Sequence, residues 1–457
     1  MSRCRAQLRH DALHIWRAGV AAVDSAQLVR QAVAVRDSRL WLSTPGSDPL
    51  DFLDLASVRR IAVVGGGKAG AGMAQGLLDA LGADLVASRQ VQGWINVPAD
   101  CVRPAGPIHL HAARPAGRNE PTGQGVAGTE AILRLVASLT PDDLCFALIS
   151  GGASALLPAP VEGISLADKR AMTRQLSESG ANIAELNTVR KQLSRIKGGG
   201  LARACRAGRL VALLISDIPG DPLDVIASGP TVPDTSTREQ ALEVLDRHRA
   251  RGISPAIVEH LARTVPLERD GTECSVTNLV IGNNATAVEA AAAEARRLGY
   301  TPALDHATEL EGPAEDVGRR HAELALRMRG QDGPDCLVSG GEPVVRLPPA
   351  DIRGLGGRNQ QLALAALEQL MPTACRGIAL GSGGTDGEDG PTDAAGAVVD
   401  QSVVEAAVRL GLDPADYLAR CDAYHFFEPL DALIRTGPTH TNVCDVRVVV
   451  AARHLAE

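Results

Sequence analysis

The segment at residues 61–70 reads Ile61-Ala62-Val63-Val64-Gly65-Gly66-Gly67-Lys68-Ala69-Gly70. Four apolar residues that run straight into glycines are typical of a buried parallel strand followed by a tight turn into a helix. Similar apolar runs into short turn segments recur at residues 144–152, 210–217, 279–284, 336–341 and 378–384. Helix-length patterns lie between them, so the sequence predicts an α/β fold with mostly parallel sheets. Ligands of such sheets bind beyond the carboxyl ends of the strands, where these loops lie.

The composition is that of a globular protein. The chain has 457 residues and a formal net charge of −8, with 45% apolar, 22% charged and only 2% aromatic residues. The acidic balance and the scarcity of aromatic rings argue against nucleic acids and anionic membranes as partners. Nine scattered cysteines without a C-x-x-C pair, and no apolar run of spanning length, indicate a reduced, cytoplasmic protein.

The length predicts more than one domain, since domains average about 150 residues. A polar stretch rich in proline and threonine at residues 230–237 marks the boundary that we favour. We therefore expect two domains, at residues 1–245 and 246–457. Each should hold a mostly parallel sheet flanked by helices, and the first should be Rossmann-like.

Lysine is rare in this chain. Only four of the 46 basic residues are lysines, namely Lys68, Lys169, Lys191 and Lys197. Where arginine is the default, a lysine can mark a place that needs a compact ammonium group. Three of the four lie in or beside glycine-rich segments, which favours a function for them. Lys169 lies in a polar stretch, and we attribute its position to chance.

The glycine loop at residues 65–70 is a candidate anion site. It matches G-x-G-x-x-G, which alone is a weak signal for a dinucleotide. It is not a Walker A loop, because Ala69 stands where serine or threonine should follow the lysine. A nicotinamide site would need an acidic residue about 20 positions on, and Asp84 is expected in a turn instead. Lys68 at a helix start opposes the helix dipole, which suggests an anionic ligand that offsets the cost.

Two further segments of the first half suggest anion binding. Residues 150–154 read Ser-Gly-Gly-Ala-Ser after a strand, which indicates a nest of backbone N–H groups, with a plain strand–helix turn as an equal alternative. A helix predicted at residues 182–196 places Arg190 and Lys191 beside its buried stripe, and Lys197 closes it. We favour a cleft wall over a solvated face. Asp217, at the end of a strand, is well placed to hold Mg²⁺ or to accept a hydroxyl proton.

The second half carries matching chemistry. Glu342 follows a strand, Arg358 stands at a glycine-flanked helix start suited to clamping phosphate, and residues 383–391 form an acidic glycine loop. These are the parts of a phosphoryl-transfer site, although they also suit a protein that binds an anionic metabolite without chemistry. From the residues alone we expect a two-domain α/β enzyme that acts on small phosphorylated or carboxylated substrates.

Six segments, in this order, together resemble the glycerate 2-kinase family, the two-domain type with a DUF4147 N-terminal domain and a MOFRL C-terminal domain: residues 148–158, 187–199, 216–231, 356–359, 384–396 and 436–439. The resemblance implies a MOFRL region at about 335–450 and an active-site cleft between the domains. It also implies ATP-dependent phosphorylation, with Mg²⁺, of the 2-hydroxyl of D-glycerate to 2-phosphoglycerate. We expect a monomer or a homodimer.

The resemblance also suggests which residues act. In such proteins the lysine of the GGGKA loop and the arginine of the GGRN segment are implicated in catalysis, and they match Lys68 and Arg358. Motif position adds Asp217 and Asp386 as catalytic candidates, and Asp386 and Asp389 as ligands of Mg²⁺. The residues expected to bind substrate or nucleotide are Gly66, Gly67, Ser150, Gly151, Gly152, Ser154, Arg190, Lys191, Lys197, Gly341, Glu342, Asn359 and Thr385.

One segment departs from the family pattern. Many members carry GHPxPD where this chain has residues 111–122, which lack that aspartate and include Arg114 and Arg118. A longer hydroxy acid, such as a four-carbon aldonate, is therefore an alternative substrate. An NAD(P)-dependent hydroxypyruvate reductase and a non-catalytic metabolite sensor are the alternative functions.

Overall fold

The computed structural model describes residues 4–44, 46–249, 252–263 and 274–453. The helices are α1 (Arg5–Ala22), α2 (Ser25–Ala32), α3 (Gly70–Leu81), α4 (Ala83–Ser88), α5 (Gly123–Ala137), α6 (Ala153–Leu156), α7 (Leu166–Glu178), α8 (Ile183–Gln192), α9 (Gly200–Ala204), α10 (Arg238–Arg247), α11 (Pro255–Ala262), α12 (Asn284–Arg297), α13 (Ala314–Gly330), α14 (Arg358–Leu370), α15 (Gln401–Leu410), α16 (Pro414–Arg420) and α17 (Ala423–Phe427). The strands are β1 (Val33–Arg36), β2 (Arg39–Leu42), β3 (Asp51–Asp54), β4 (Ile61–Gly66), β5 (Gln92–Pro98), β6 (Ile108–Arg114), β7 (Leu144–Ile149), β8 (Arg209–Ile215), β9 (Ser275–Gly282), β10 (Pro302–Asp305), β11 (Cys336–Gly341), β12 (Ile378–Gly384), β13 (Gly396–Asp400), β14 (Leu433–Ile434) and β15 (Asp445–Ala451).

Residues 25–281 form one compact unit around a six-stranded sheet in the order β6-β5-β4-β7-β8-β9. The pairs β4–β5, β5–β6, β4–β7 and β7–β8 are parallel. Every residue of β4 and β7 is buried, which explains why both strands are continuous apolar runs. The parallel α/β architecture predicted for this part of the chain is confirmed. A small antiparallel sheet, β1-β2-β3, belongs to the same unit.

The remaining described residues form a second compact unit, which joins the chain up to Asp24 to the chain from Gly282 onward. Its six-stranded sheet has the order β10-β11-β15-β12-β13-β14. Only β10–β11 is a parallel pair, and the other four pairs are antiparallel. The expectation of a mostly parallel sheet is therefore wrong for this unit. The last strand, β15, returns antiparallel between β11 and β12, and an apolar run predicts burial but not direction.

The two units divide the chain at 24/25 and 281/282. Helix α1 belongs to the second unit, where the indole nitrogen of Trp16 donates to the carbonyl of Gly383 at 3.3 Å. Strand β9 completes the sheet of the first unit. The limits 1–245 and 246–457 stay a prediction from composition. Within the described ranges, no helix combines the length and apolarity that crossing a bilayer requires.

Candidate functional site

Two glycine loops meet in the first unit at the point where the strand order reverses. β4 leads through β5 to one edge of the sheet and β7 through β8 to the other, so the loops after β4 and β7 flank this switch point. The backbone N–H of Lys68 donates to the carbonyl of Gly151 at 2.9 Å. The N–H of Ala69 donates to Oγ of Ser150 at 3.1 Å. Both predicted anion loops therefore lie side by side.

Gly65 and Gly67 of the first loop are required by close packing as well as by access to a ligand. A Cβ on Gly67, whose φ is +146°, would lie 2.0 Å from Oγ of Ser150. A Cβ on Gly65, whose φ is +154°, would lie 1.9 Å from the carbonyl oxygen of Leu148. Because real Cβ contacts are far longer, neither position accepts a side chain. Lys68 is half-buried, and its Cγ comes within 3.9 Å of a Cβ built on Gly152.

A cavity of about 530 Å³ opens beside these loops, within the first unit. Its wall includes six of the predicted site residues, which come from the loop after β7, from helix α8 and its continuation, and from the end of β8: Ser150, Gly152, Ser154, Arg190, Lys197 and Asp217. Gly66, Gly67, Lys68 and Gly151 adjoin the cavity through the loop contacts described above.

The hydroxyl of Ser154 is the centre of a hydrogen-bond cluster in this wall. It accepts from Nζ of Lys197 at 2.8 Å and from Nη2 of Arg190 at 2.6 Å. Oγ of Ser228 lies 3.1 Å from it and donates in turn to Oδ1 of Asn187 at 3.1 Å. Two basic side chains therefore share one neutral acceptor, and neither of these two bonds is to a carboxylate.

Local sequence fixes the starts of the two helices that carry Arg190 and Lys169. Helix α8 begins at a capping box in which Asn182 and Glu185 bond to each other's backbone N–H groups. Helix α7 begins at the equivalent box of Ser165 and Asp168. Lys169 follows at once and also lines the cavity. The sequence analysis attributed the position of Lys169 to chance and did not place it in this wall.

Three basic side chains of the wall have no carboxylate ion-pair partner among the described residues. Among residues 4–44, 46–249, 252–263 and 274–453, no carboxylate forms an ion pair with Lys169, Arg190 or Lys197, whereas Arg170 pairs with Glu120. Burial lowers the pKa of Lys197 well below its usual range, and the charges of Arg190 and Lys169 lower it further. Burial also lowers the pKa of Arg190. A bound anion would favour the charged forms of Lys169, Arg190 and Lys197.

Lys191 lies outside this cavity, although the sequence predicted it there. Its Nζ pairs with Asp224 at 3.2 Å and with Asp234 at 3.7 Å. Adjacent positions on a helix point about 100° apart, so Arg190 and Lys191 do not face the same space. The structure gives Lys191 a tethering role between α8 and the loop after β8.

Arg358 is the centre of the site candidates in the second unit. It begins helix α14, and its Nε and Nη2 bond to both oxygens of Asp445 at 2.8 and 3.1 Å. Nη1 bonds to Glu342 at 2.7 Å. Burial lowers the pKa of Arg358, but the charges of Asp445 and Glu342 outweigh it, so the net shift is upward. The guanidinium is therefore held as a rigid cation.

Sequence reasoning missed Asp445, whose side chain is 0% exposed. It is the first residue of β15, which runs antiparallel between β11 and β12. The start of β15 therefore lies at the same sheet edge as the ends of β11 and β12, where Glu342 and the acidic glycine loop follow. An acidic residue directly before the apolar run of β15 was the available signal.

The acidic glycine loop is tied to helix α14. Both oxygens of Asp389 accept backbone N–H groups, from Asn359 at 3.0 Å and from Gln360 at 2.8 Å. Burial raises the pKa of Asp389 to about 7, against the effect of those two donors. Asp386 accepts from the backbone N–H of Glu388 at 3.2 Å.

The other predicted residues of this unit lie around the same sheet edge. Thr385 donates from Oγ1 to the carbonyl of Cys444 at 2.7 Å and accepts from the N–H of Val443 at 2.9 Å. A Cβ on Gly341 would meet a carboxylate oxygen of Glu311 at 1.9 Å. Within the part of the chain that the structure describes, no group of three or more His, Cys, Asp or Glu side chains is arranged to hold a metal ion.

Comparisons with known proteins agree with this architecture. Residues 11–262 match the DUF4147 family, described as a domain of unknown function, and residues 335–445 match the MOFRL family. A protein of Agrobacterium vitis that carries a hydroxypyruvate reductase name is 40% identical over 86% of this chain and 99% of its own. The D-glycerate 2-kinase of Thermotoga maritima is 36% identical over 93% of this chain and 98% of its own.

A solved structure extends the likeness to the fold. The crystal structure of a glycerate kinase from Thermotoga maritima matches with a TM-score of 0.82 at 33% identity, over 98% of this chain and 100% of that one. One family match spans more than half of this chain, and the relatives exceed 30% identity over nearly their full lengths. The chain belongs to the glycerate 2-kinase family, with a DUF4147 domain followed by a MOFRL domain.

Proposed function

We propose that this protein is an ATP-dependent kinase that phosphorylates the 2-hydroxyl of D-glycerate, giving 2-phosphoglycerate and ADP. The observation that carries the proposal is the cavity at the switch point of the first sheet, lined by Lys169, Arg190 and Lys197 without carboxylate partners in the described chain. Both substrates are anions, so either could place negative charge beside these three basic side chains. Family membership points to the same reaction.

The reaction needs positioning and charge neutralisation more than covalent participation by the protein. The 2-oxygen of glycerate forms a bond to the γ-phosphorus, the bond from that phosphorus to the β,γ-bridging oxygen breaks, and the hydroxyl proton leaves to a base. Asp217 lines the cavity and is our candidate for that base. Lys68 and Arg358 are our candidates for neutralising charge on the transferring group.

The carboxylates fit Mg²⁺ only in part. Both oxygens of Asp389 already accept backbone N–H groups at the start of α14, which disfavours Asp389 as a ligand, and Asp386 stays a predicted ligand. Mg²⁺ commonly takes one or two carboxylates and is otherwise held by substrate phosphates and water. When bound, it would neutralise phosphate charge. A role in the cytoplasm, as a monomer or homodimer, completes the proposal, and it agrees with nine cysteines that are all free thiols.

The direct test is ADP release in the presence of MgATP, with and without D-glycerate. We expect release that depends on D-glycerate, and a loss of at least about 100-fold in kcat in Lys68→Met with an unchanged circular dichroism spectrum. L-Glycerate and the four-carbon D-erythronate serve as comparison substrates. ADP release that is equal with and without any hydroxy acid would contradict the proposal.

A second candidate function is reduction of hydroxypyruvate with NAD(P)H, which the name of the Agrobacterium vitis relative suggests. Against it, strand β5 ends in Asn96-Val97-Pro98, without the acidic residue that a ribose hydroxyl needs at that strand end. Oxidation of NADH or NADPH by the protein with hydroxypyruvate would establish this candidate.

A further inference from the structure

Lys169 is a buried amine in a wall that already holds two other basic side chains. Its residue exposure is 8%, and it lines the cavity together with Arg190 and Lys197. Its Nζ donates to the carbonyl of Leu193 at 2.8 Å. That carbonyl is a neutral acceptor, and no carboxylate of the described chain lies within ion-pair distance of Nζ.

This environment makes the charged form of Lys169 costly. Burial lowers the pKa of its amine to about 7, and the charge of Arg190 contributes. Close to neutral pH the amine of the free protein is therefore easily deprotonated. An anion bound in the cavity would offset the unfavourable effect of the Arg190 charge and would favour the protonated form of Lys169.

We propose that Lys169 is an anion-binding residue of this cavity and that it takes up a proton when the anion enters. The inference deepens the proposed function and rests on it for the identity of the anion, which is the carboxylate of the hydroxy acid. It assigns a role to a residue whose sequence context carries no motif.

Other charged groups face the same space and must be separated from Lys169. Arg190 and Lys197 come from α8 and the segment after it, Arg170 and Arg174 from α7 itself, Glu120 from the segment before α5, and Asp217 from the end of β8. Arg170 is already paired with Glu120. Lys197 is the other buried amine, so only a change at Lys169 assigns the proton to it.

The sign of the pH dependence follows from linkage. An anion raises the pKa of Lys169, so the complex binds more protons than the free protein. Affinity for the anion is then highest below pH 7. It falls as pH rises above 7, by at most tenfold per unit, until the pKa of the complex is passed.

Calorimetry on the full-length protein, without ATP, tests this directly. D-Glycerate is titrated at pH 8 in buffers of different ionisation enthalpy, and the slope of observed enthalpy against buffer enthalpy gives the protons taken up. Sulfate is a second probe, because it does not titrate in this range and is not a substrate. The proteins are wild type, Lys169→Met, Lys169→Arg and the control Arg247→Met, which removes a cation of α10 that pairs with Glu185 away from the cavity.

We expect uptake of roughly half a proton or more by wild type and Arg247→Met. Lys169→Arg should bind without uptake, because its charge is permanent. Lys169→Met should bind about tenfold more weakly at pH 6.5 and also without uptake. The inference would be overturned if wild type bound D-glycerate or sulfate without proton uptake, or if proton uptake persisted in both Lys169 variants. It would also be overturned if wild type bound neither anion. Sulfate binding with uptake but no D-glycerate binding would support Lys169 while contradicting the proposed substrate.

Discussion

Asp445→Asn tests whether the guanidinium of Arg358 is held rigid by a buried fork. The change removes one charge from a pair joined by bonds of 2.8 and 3.1 Å, at a side chain that is 0% exposed. Breaking a buried pair on one side costs about 3–5 kcal/mol. Asparagine keeps one acceptor oxygen, and Glu342 still bonds to Arg358 at 2.7 Å. We therefore expect a loss of about 2–3 kcal/mol in the free energy of unfolding of the second unit.

The assay is urea unfolding followed by fluorescence of Trp16, in a background where Trp41 and Trp94 are phenylalanine. Trp16 is buried in the second unit and bonds to Gly383, so it reports on this unit.

The matched control is Asp393→Asn. Asp393 bonds to Nε of Arg435 at 3.0 Å, but its side chain is 62% exposed. Exposed pairs contribute about 0–1 kcal/mol, so this variant should unfold nearly as wild type does. Kinase activity should fall about 10- to 100-fold in Asp445→Asn only, if a fixed guanidinium stabilises the transition state. Equal unfolding curves for the two variants would refute the reasoning.

Three further changes test the packing of the first glycine loop, the hydrogen-bond cluster at Ser154 and the ion pairs of Asp143. Gly67→Ala places a Cβ 2.0 Å from Oγ of Ser150 at a φ of +146°, so we expect a loss of more than about 2 kcal/mol by urea unfolding; a wild-type curve would contradict the packing argument. Ser154→Ala removes the acceptor shared by Lys197 and Arg190, so D-glycerate should raise Tm less than it does in wild type, and an equal shift would contradict the cluster. Burial raises the pKa of Asp143, but bonds from Arg60 and Arg59 outweigh it and hold that pKa below 3.8. Its stabilisation is therefore present above pH 3.8 and is lost as pH falls through the lowered value, and Asp143→Asn should lack this acid-dependent loss in Tm.

Half of the strands in the two six-stranded sheets could be predicted from the sequence. The six apolar runs at residues 61, 144, 210, 279, 336 and 378 correspond to β4, β7, β8, β9, β11 and β12. Nearly every residue is buried in five of these strands, and burial on both faces gives each of the five an apolar run that the sequence shows: β4, β7, β8, β11 and β12. Strand direction leaves no such record, so the antiparallel return of β15 was not predictable.

The candidate site was predictable where its residues follow a strand directly. Ser150 and Asp217 are of this kind, Ser154 lies in helix α6 after the same strand as Ser150, and the structure places all three in the wall of one cavity. Lys169 was missed because it reaches the cavity from α7, an element with no glycine loop beside it. Asp445 was missed because it begins its strand, whereas the other candidates follow theirs. Only the antiparallel pairing of β15 with β11 brings it beside the end of β11.

The position of the phosphate on the product is the sharpest test of phosphorylation at the 2-hydroxyl of D-glycerate. Purified protein is mixed with MgATP and D-glycerate and coupled through enolase, with no phosphoglycerate mutase added. We predict formation of phosphoenolpyruvate in step with ADP release, because enolase accepts the 2-phosphorylated product. ADP release from D-glycerate without phosphoenolpyruvate would contradict it, since the phosphoryl group would then have gone elsewhere.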